Sequence, residues 1–492
     1  MGESKESSNP PSSPNFHLPP EPQANGGPGG LRSPGGGSGA RPPPGLRSSP
    51  PDFHPPNVVL FFIDTLRAAQ VHCYGYPRAT TPSLDSLAAR GTLFEAAIAP
   101  SSWSLPTYSS IFTSLPPPAH AVDERCQKLD DSFTTLPEIF GRLGYRTAGF
   151  VGGGHLSRLF GMAQGFQTYR DAPHYGSLFH TVPAAIQWLR DRDPEPFFLM
   201  VQGYDAHLPY KPPMGFAEMY DRGYAGPVHD LNVLDSEVLR TVAGNVFRWV
   251  GPSSPAGRVT SGAARSVREV RLGAADVAHV VAHYDGAVTY ADTWLGLFLE
   301  SMARLGLDDR TVIVVAGDHG EELGEHGYFG HRWSLYDRQI HVPLVIAGPG
   351  VARGRRVTDV VETFGLAPTL LALAGFPPDH GHVGRSLAPY LTPGGLPPSE
   401  PDRVAFSALS DQLSARSRRW HLLLRPSGAR ELYDLAADPL EQTDVSTRET
   451  KQAERLASML RDWVERHRAE PRGTSSHLTD AERAVFRQRG YW

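Results

Sequence analysis

The sequence predicts an α/β fold built on a large, mostly parallel sheet between helices. Three apolar runs support this prediction, at residues 57–63, 197–201 and 311–315. Each run is continuous rather than alternating, which is typical of strands buried on both faces of a parallel sheet. Polar residues follow each run directly. Because ligands collect at the carboxyl ends of parallel strands, we expect a functional site at that edge of the sheet.

The composition is that of a globular protein and excludes some function classes. The chain has 492 residues, of which 40% are hydrophobic and 20% charged. Its net charge of −5 provides no basic face for nucleic acid. No apolar run is long enough to form an integral membrane segment, and the N-terminus lacks a secretory signal pattern. We therefore expect a cytoplasmic protein, with export as the alternative if the start codon is misassigned.

Changes of composition along the chain predict four parts. Residues 1–56 are dominated by Pro, Gly and Ser and are predicted to be disordered, because they bury too little apolar surface to offset ordering. Residues 57–398 form the predicted main α/β domain. Residues 399–470 form a small C-terminal α+β subdomain with an antiparallel sheet, and residues 471–492 are a tail.

The first βα units introduce an acidic residue and a hydroxyl. Asp64 follows the strand predicted at 57–63, and a helix is predicted at 82–90. A short helix then begins near Ser104, whose hydroxyl would lie at the positive end of the helix dipole. The alternative is that Ser104 is a common N-cap serine. Residues 136–151 predict a helix, a glycine turn and another strand.

The middle of the chain supplies a histidine and then a less readable region. His207 follows the strand at 197–201, so it is a candidate acid–base group. Residues 214–300 are predicted to be mostly helical, with a loop around 251–263. A long helix is predicted at 275–305, leading into the strand at 311–315.

Asp318 and His319 end the strand at 311–315 in the way that Asp64 ends the first one. An Asp-His pair among glycines favours metal ligands, whereas the alternative is a helix-capping Asp and a surface His. The convergence of two such strand ends at one sheet edge supports the first interpretation. Glu321, Glu322 and Glu325 are expected on a solvated helix start.

The remaining elements complete the sheet and the appendage. A strand is predicted at 342–347 and a helix within 360–375. Short strands at 404–409 and 419–424 precede an amphipathic helix at 449–468. The end of the tail, from 478 onward, is predicted to form a short terminal helix.

With these residues in place, the chain resembles the sulfatase-like branch of the alkaline phosphatase superfamily. The resemblance extends from residue 57 to the C-terminus and rests on motifs in a matching order. They are DTLRA at 64–68, CYGYPRATTPSLDSLAARG at 73–91, WSLPTYSSIFTSLPP at 103–117, DAHLPY at 205–210, DHGEELGEHG at 318–327, GHRWSLYDRQIHVPLVI at 330–346 and ELYDLAADPLEQTDV at 431–445. It implies an alkaline-phosphatase-like mostly parallel sheet and cleavage of sulfate, phosphate or phosphonate esters.

The resemblance also implies roles for individual residues. The metal ligands are Asp64, Asp318 and His319. Ser104 takes the position of the covalent nucleophile, and His207 that of the histidine that protonates the leaving group. His331 stands where relatives bind the oxygens of the anionic group, often with Lys. The further substrate-binding candidates are Arg67, Tyr108 and Arg332.

The cofactor is expected to be a divalent metal that screens charge and helps to ionise the hydroxyl. The imidazole of His319 favours Mn²⁺ or Zn²⁺, with Ca²⁺ as the alternative, because calcium normally takes only oxygen ligands. Sulfatases proper oxidise a Cys or Ser to formylglycine in a C/S-x-P-x-R context. Tyr108 replaces that arginine, so the sequence favours an unmodified Ser104 and shifts weight towards phosphorus chemistry.

Three functional hypotheses follow. The first is a metal-dependent sulfatase-like hydrolase that acts on a small-molecule or glycan anionic ester. The second is a transferase of phosphoryl groups on the same scaffold, and the third is an inactive binding protein. Asp205, His326 and His341 are weak candidates for a second metal. Four aromatic residues could stack on a leaving group or simply pack the loops, namely Trp103, Tyr108, Tyr204 and Tyr210. The oligomeric state is not predicted.

Overall fold

The computed structural model describes residues 54–488, except 125–126, 174, 227, 229–238, 244–245, 253–264, 378–380, 397 and 469–475. The segment 1–56 that the sequence predicts to be disordered therefore lies almost entirely outside the described residues. From His54 onward the chain forms one compact unit. The boundary at 398/399 stays a prediction.

The strands of the described residues agree closely with the apolar runs. They are β1 (Asn57–Ile63), β2 (Thr92–Ile98), β3 (Gln127–Lys128), β4 (Arg146–Phe150), β5 (Thr168–Arg170), β6 (Phe197–Gly203), β7 (Leu239–Ala243), β8 (Val246–Pro252), β9 (Arg265–Arg271), β10 (Thr311–Gly317), β11 (Glu322–Leu323), β12 (Tyr328–Gly330), β13 (His341–Ala347), β14 (Arg355–Glu362), β15 (Ala405–Leu409), β16 (Gln412–Arg416), β17 (Trp420–Leu424), β18 (Arg430–Asp434) and β19 (Ser476–His477).

The helices alternate with strands along most of the chain. They are α1 (Pro82–Ala89), α2 (Ser104–Thr113), α3 (Pro117–His120), α4 (Leu136–Arg142), α5 (Leu178–Asp191), α6 (Ala274–Arg304), α7 (Asp337–Ile340), α8 (Leu366–Leu373), α9 (Ala388–Leu391), α10 (Thr450–Arg468) and α11 (Asp480–Gln488). Among the described residues, no helix has both the length and the apolar character needed to cross a membrane.

The described strands form an eight-stranded sheet in the order β14-β2-β13-β10-β1-β6-β4-β5, with smaller sheets of five, four and two strands. In the main sheet β1 lies between β10 and β6 and is parallel to both. β13 is antiparallel to its two neighbours, β10 and β2. The predicted α/β class with a mostly parallel sheet is confirmed.

The continuous apolar runs are explained by burial on both faces. Every residue of β1, β6 and β10 is buried. Alternate side chains of β1 enter two different hydrophobic cores, with Val58 and Leu60 in one and Val59 and Phe61 in the other. Such strands need apolar side chains at every position, which is why they read as unbroken runs.

The prediction for residues 214–300 is wrong in part. The described residues there include the antiparallel strands β7, β8 and β9 ahead of the long helix α6, so the region is not mostly helical. These strands carry polar residues, as in RSVREVR of β9, and lack the apolar run that identified the buried strands. The antiparallel pairing of β7 with β8 and of β8 with β9 supplies their backbone hydrogen bonds.

The C-terminal α+β unit is confirmed as an antiparallel meander, β15-β16-β17-β18, covered by α10. The predicted apolar stripe of α10 packs on this sheet, and Trp463 stacks on Phe406 with ring centroids 5.3 Å apart. β16 and β18 were not predicted. Each is short and polar on one face, so neither has a continuous apolar signal.

Glu441, in the C-terminal motif ELYDLAADPLEQTDV, joins the meander to segments outside it. It is 2% exposed. Its Oε1 is 2.5 Å from Nδ1 of His421 in β17, and its Oε2 accepts from the Asp337 backbone N–H at 2.6 Å. Its carbonyl oxygen is 3.3 Å from Nε2 of His326, in the segment that follows β10. The motif thus connects β17 to the start of α7 and to the segment that follows β10.

Replacing Glu441 with alanine is expected to lower the free energy of unfolding by about 3 kcal/mol, because a buried histidine and a backbone N–H lose their partner. Urea unfolding measures this loss. The matched control is Glu454→Ala, which removes exposed ion pairs with Arg430 and Arg461 on the same unit and should leave the midpoint unchanged. Equal effects of the two substitutions would contradict the account.

His120, at the end of α3, is a buried neutral histidine. The Val122 backbone N–H donates to its Nδ1 at 3.0 Å, so Nε2 carries the hydrogen and donates to Ser110 Oγ at 2.9 Å. Burial lowers the pKa of His120 from 6.5 to about 3. As the pH falls, His120 is therefore protonated in the unfolded chain at a higher pH than in the folded protein.

We expect this histidine to contribute stability that is complete above pH 6.5 and is lost as the pH falls towards 3. The loss has a limiting slope of about 1.4 kcal/mol per pH unit. His120→Gln should remove this part of the slope. Urea unfolding of both proteins between these two pH values measures it, and identical slopes would contradict the assignment.

Candidate active site

Two neighbouring strands bring the predicted metal ligands together. The β1–β10 register sets Ile63 opposite Gly317, so the next residues, Asp64 and Asp318, leave adjacent strands side by side. Gly317 is required here, because a Cβ at this position would lie 2.2 Å from the Leu66 carbonyl oxygen. The sequence pattern of two strands that each end in an acidic residue thus reflects a real juxtaposition.

Asp64, Asp318 and His319 form a buried group that fits a divalent cation. One ligand atom from each lies within 4.8 Å of the others. Asp64 Oδ1 and Asp318 Oδ2 are buried and have no hydrogen-bond partner among the described residues. His319 Nδ1 donates to the Gly320 carbonyl at 2.9 Å, which leaves the Nε2 lone pair 3.6 Å from Asp318 Oδ2. Carboxylate oxygens and an imidazole nitrogen suit a transition metal.

The electrostatics of Asp64 also fit a cation. Burial raises the pKa of its carboxyl well above the usual range, and the negative charge of Asp318 raises it further. Two carboxylates in apolar surroundings repel each other, and a divalent cation between them would remove the repulsion.

Gln202 orients Asp64 and was missed by the sequence analysis. Its Nε2 donates to Asp64 Oδ2 at 3.2 Å, and its Oε1 accepts from the Gly152 backbone N–H at 2.9 Å. It lies in β6, on the other side of β1 from Asp318, and is fully buried. A polar residue within the apolar run FFLMVQG is the signal that could have identified it.

Ser104 lies against the metal-binding group. It is the first residue of α2 and is 3% exposed. Its Oγ donates to Asp64 Oδ2 at 3.3 Å and lies 3.3 Å from His319 Nε2. The structure therefore brings the candidate nucleophile and two candidate ligands together, at the positive end of the helix dipole.

His207 and His331 continue the site outward from His319. The ring centroids of His319 and His331 are 4.5 Å apart, and those of His331 and His207 are 4.9 Å apart. His207 Nδ1 donates to the Leu208 carbonyl. Burial lowers the pKa of His207 to about 4, so its imidazole is neutral at pH 7 in the free protein.

Of the three carboxylates expected on a solvated helix start, two are buried and Glu325 is partly buried. Glu321 and Glu322 are 0% exposed, and the segment forms β11 and β12 rather than a helix. Glu321 Oε1 lies 3.0 Å from His331 Nδ1, and Glu322 Oε1 lies 3.0 Å from His326 Nδ1. The acidic residues are thus matched by histidines several positions later, a pairing that local helix signals do not reveal.

Arg67 has protein partners for its charge. Its Nη1 forms a 2.7 Å ion pair with Glu325 and donates to the Glu321 carbonyl at 2.9 Å, while Nε donates to Gln70. Burial raises the pKa of Glu325, but the Arg67 charge outweighs this effect and the pKa falls to about 2. Arg67 holds the segment after His319, which argues against the predicted substrate contact.

Arg332 packs on Trp103, the residue that precedes the nucleophile. The Arg332 guanidinium lies over the Trp103 ring, 4.1 Å from its centroid, and Trp103 directly precedes Ser104. The Trp103 Nε1–H donates to Asp123 at 3.4 Å. Arg332 adopts a left-handed backbone conformation, with φ of 72°. Its predicted contact with the substrate anion stays a prediction.

The aromatic residues proposed to stack on a leaving group are buried at 6% exposure or less, namely Trp103, Tyr108, Tyr204 and Tyr210. Packing is therefore their main role. Tyr175, which the sequence analysis did not single out, is 43% exposed. Its ring lies 5.6 Å from that of His207 and 5.1 Å from that of Tyr204. Tyr175 thus extends the row of neighbouring rings formed by His319, His331 and His207, and its own ring is exposed.

The candidates for a second metal have structural partners. Asp205 accepts from Ser177 Oγ at 2.5 Å and from the Leu178 N–H at 2.8 Å, at the start of α5. His326 stacks on Tyr336 with centroids 3.5 Å apart. His341 lies between Asp337 and the Glu95 carbonyl. These contacts account for all three side chains without a second ion.

The fold and the site define a class: hydrolases of anionic esters with an alkaline-phosphatase-like sheet that carries its polar residues at the carboxyl edge. The family follows from the sequence. The sulfatase family model matches residues 56–376, and the chain belongs to the sulfatase family.

The identity to known relatives is low, but the similarity covers most of each chain. The chain is 23% identical to human arylsulfatase K over 433 residues, covering 80% of this chain and 79% of the relative. It is also 23% identical to the N-acetylglucosamine-6-O-sulfatase of Bacteroides thetaiotaomicron, covering 79% and 82%. The crystal structure of the phosphonate monoester hydrolase of Agrobacterium radiobacter superimposes with a TM-score of 0.64 at 23% identity, covering 84% of this chain and 96% of that one.

Proposed function

We propose that the protein is a metal-dependent hydrolase that cleaves a sulfate or phosphate ester through a covalent intermediate on Ser104. The observation that carries this proposal is the position of the Ser104 hydroxyl, 3.3 Å from both Asp64 Oδ2 and His319 Nε2. The nucleophile thus lies against the buried group that fits a cation. Membership of the sulfatase family supports the reaction class.

Asp64, Asp318 and His319 would hold the metal, with Mn²⁺ or Zn²⁺ favoured by the imidazole nitrogen and Ca²⁺ as the alternative. A bound divalent cation screens the charge of the ester and lowers the pKa of a nearby hydroxyl. Gln202 keeps the Asp64 carboxylate in position, and the Gly320 carbonyl fixes the His319 tautomer.

The reaction consists of two displacements at sulfur or phosphorus. In the first, Ser104 Oγ gives up its proton and forms a bond to the central atom while the bond to the leaving oxygen breaks. The leaving oxygen takes a proton, so the proton lost by Oγ is balanced by the one gained by the leaving group. In the second, a water oxygen forms a bond to the central atom while the bond to Oγ breaks, and one proton of that water returns to Ser104 Oγ. The helix dipole of α2 stabilises negative charge near Oγ in both steps.

His207 is assigned the proton transfer to the leaving oxygen. The free protein carries it neutral, because burial lowers its pKa to about 4. An anionic ester bound beside it raises that pKa, since an opposite charge favours the protonated imidazole. His331 and Arg332 are assigned to the oxygens of the anionic group. Tyr175, exposed beside His207, is assigned to the leaving group.

We further propose that Ser104 acts unmodified and not as formylglycine. The sequence places Tyr108 four residues after Ser104, where the modification context has arginine. An unmodified serine ester of phosphorus is readily resolved by water, which favours a phosphate or phosphonate ester. The complete ligand group argues against an inactive binding protein, which would be expected to lose its ligands first.

The test is a paired assay with 4-nitrophenyl sulfate, 4-nitrophenyl phosphate and bis-4-nitrophenyl phosphate. Each is offered to the full chain loaded with Mn²⁺ and to the same protein after chelation. The proposal expects turnover of at least one ester, loss of activity on chelation and recovery when Mn²⁺ or Zn²⁺ is restored. Transfer to added glycerol in place of water would instead support a transferase.

A protein that binds no stoichiometric metal and turns over none of the three esters would contradict the proposal. A protein that binds the metal but remains inactive with all three would limit the substrate to other leaving groups. A glycan carrying a sulfate ester is then the next substrate to test, given the named activity of the bacterial relative.

A further inference from the structure

The Tyr108 hydroxyl is a buried polar group that the reaction described above does not use. The side chain is 0% exposed, and its hydroxyl has no hydrogen-bond partner within the part of the chain that the structure describes. A buried hydroxyl without a partner destabilises the folded state. Such a group needs an explanation, and one explanation is a partner that arrives with the substrate.

The ring of Tyr108 alone accounts for the packing. Its centroid lies 5.3 Å from that of Phe62 in an edge-to-face contact and 6.3 Å from that of Phe112. Phenylalanine would make the same contacts. The hydroxyl is therefore not required by the core around it.

Tyr108 lies beside the active site. Tyr108 follows Ser104 by four residues in α2, so both side chains lie on one face of the helix. Its partner Phe62 precedes Asp64 by two residues, so their side chains leave the strand on the same side. The ring thus lies between the helix face that carries the nucleophile and the strand face that carries a metal ligand.

Charges in the site act on this hydroxyl and keep it protonated. Burial raises the pKa of Tyr108 well above its usual range, and the carboxylates of Asp318 and Asp64 raise it further. The phenol therefore keeps its hydrogen and is a neutral donor. The oxygens of an anionic ester are acceptors for such a donor.

We propose that the Tyr108 hydroxyl is a catalytic hydrogen-bond donor to a non-bridging oxygen of the sulfuryl or phosphoryl group during its transfer to Ser104. This inference rests on the proposed function. A donor fixed in a buried site stabilises charge on that oxygen without reorganising. The contact strengthens as charge develops, so its loss should lower kcat more than it raises KM.

The test compares Tyr108→Phe with wild type and with the control Tyr145→Phe. Tyr145 is also buried, but its hydroxyl donates to the Pro56 carbonyl at 2.9 Å, away from the site. Three quantities are measured: kcat and KM for the best 4-nitrophenyl ester, the dissociation constant of orthovanadate by calorimetry, and the melting temperature of the free protein.

For Tyr108→Phe we expect kcat to fall about 100-fold and vanadate to bind correspondingly more weakly. Its melting temperature should stay the same or rise, because a partnerless hydroxyl is removed. Tyr145→Phe should show the opposite pattern, with a lower melting temperature and unchanged kcat.

Three outcomes would overturn the inference and can be told apart. If wild type turns over an ester and binds vanadate, but Tyr108→Phe matches it in both, only the role of Tyr108 is lost. If wild type neither turns over an ester nor binds vanadate, the proposed function fails together with it. A lower melting temperature in Tyr108→Phe with unchanged kcat would give the hydroxyl a structural role instead.

Discussion

Replacing Ser104 with alanine is expected to lower kcat for ester hydrolysis by about 10⁴-fold or more, because the covalent route is removed. The hydroxyl lies 3.3 Å from Asp64 Oδ2 and from His319 Nε2, and no covalent bond to the anionic group forms without it. Steady-state kinetics with the best nitrophenyl ester measures the loss. Metal content is measured in parallel, because the substitution should leave all three ligands in place.

The matched control is Ser110→Ala in the same helix. Ser110 is buried and interacts with His120 at 2.9 Å, so its loss should affect stability and leave kcat unchanged. Retention of most activity in Ser104→Ala would show that water attacks the ester directly, and the covalent mechanism would then be abandoned.

Replacing Asp64 with asparagine is expected to remove the stabilisation by metal while leaving the apo protein at least as stable as wild type. The carboxylate of Asp64 is buried beside that of Asp318, and asparagine keeps the shape but removes the repulsion. Wild type should gain about 2.7 kcal/mol when Mn²⁺ is present at 100 times its Kd. The variant should gain much less, and its activity should fall with its metal content.

Thermal unfolding with and without Mn²⁺ measures both effects. Asp292→Asn is the control, since Asp292 is equally buried but accepts from the Ser83 and Leu84 backbone N–H groups at the start of α1. Asp292→Asn should lower the free energy of unfolding both with and without Mn²⁺. The increase in that free energy on adding Mn²⁺ should be the same as in wild type. An Asp64→Asn protein that gains as much from Mn²⁺ as wild type would exclude Asp64 as a ligand.

The sequence predicts the centre of the main sheet well because burial on both faces demands continuous apolar strands. β1 is predicted with its observed bounds, and the ends of β6 and β10 lie within two residues of the predicted runs. The position of Asp64 beside Asp318 follows from those strands, because their register brings both carboxyl ends to one level.

Elements held by pairing or by distant partners could not be read in this way. β7, β8 and β9 interrupt their apolar residues with arginines and other polar residues, and their sheet depends on contacts with each other. The sequence pattern of Glu321 and Glu322 is that of surface residues, but in the folded protein they contact His331 and His326. The orientation of Asp64 by Gln202 likewise depends on the order of strands in the sheet, which a local pattern does not contain.

The most direct test of the account is the mass of the peptide that contains residue 104, taken from Mn²⁺-loaded wild type that is acid-quenched during ester turnover. The account predicts an unmodified serine before turnover and a phosphoryl or sulfuryl adduct on Ser104 in the quenched sample. Formylglycine at this position before turnover would contradict the proposed serine chemistry. An unmodified serine that never carries an adduct during rapid turnover would contradict covalent catalysis itself.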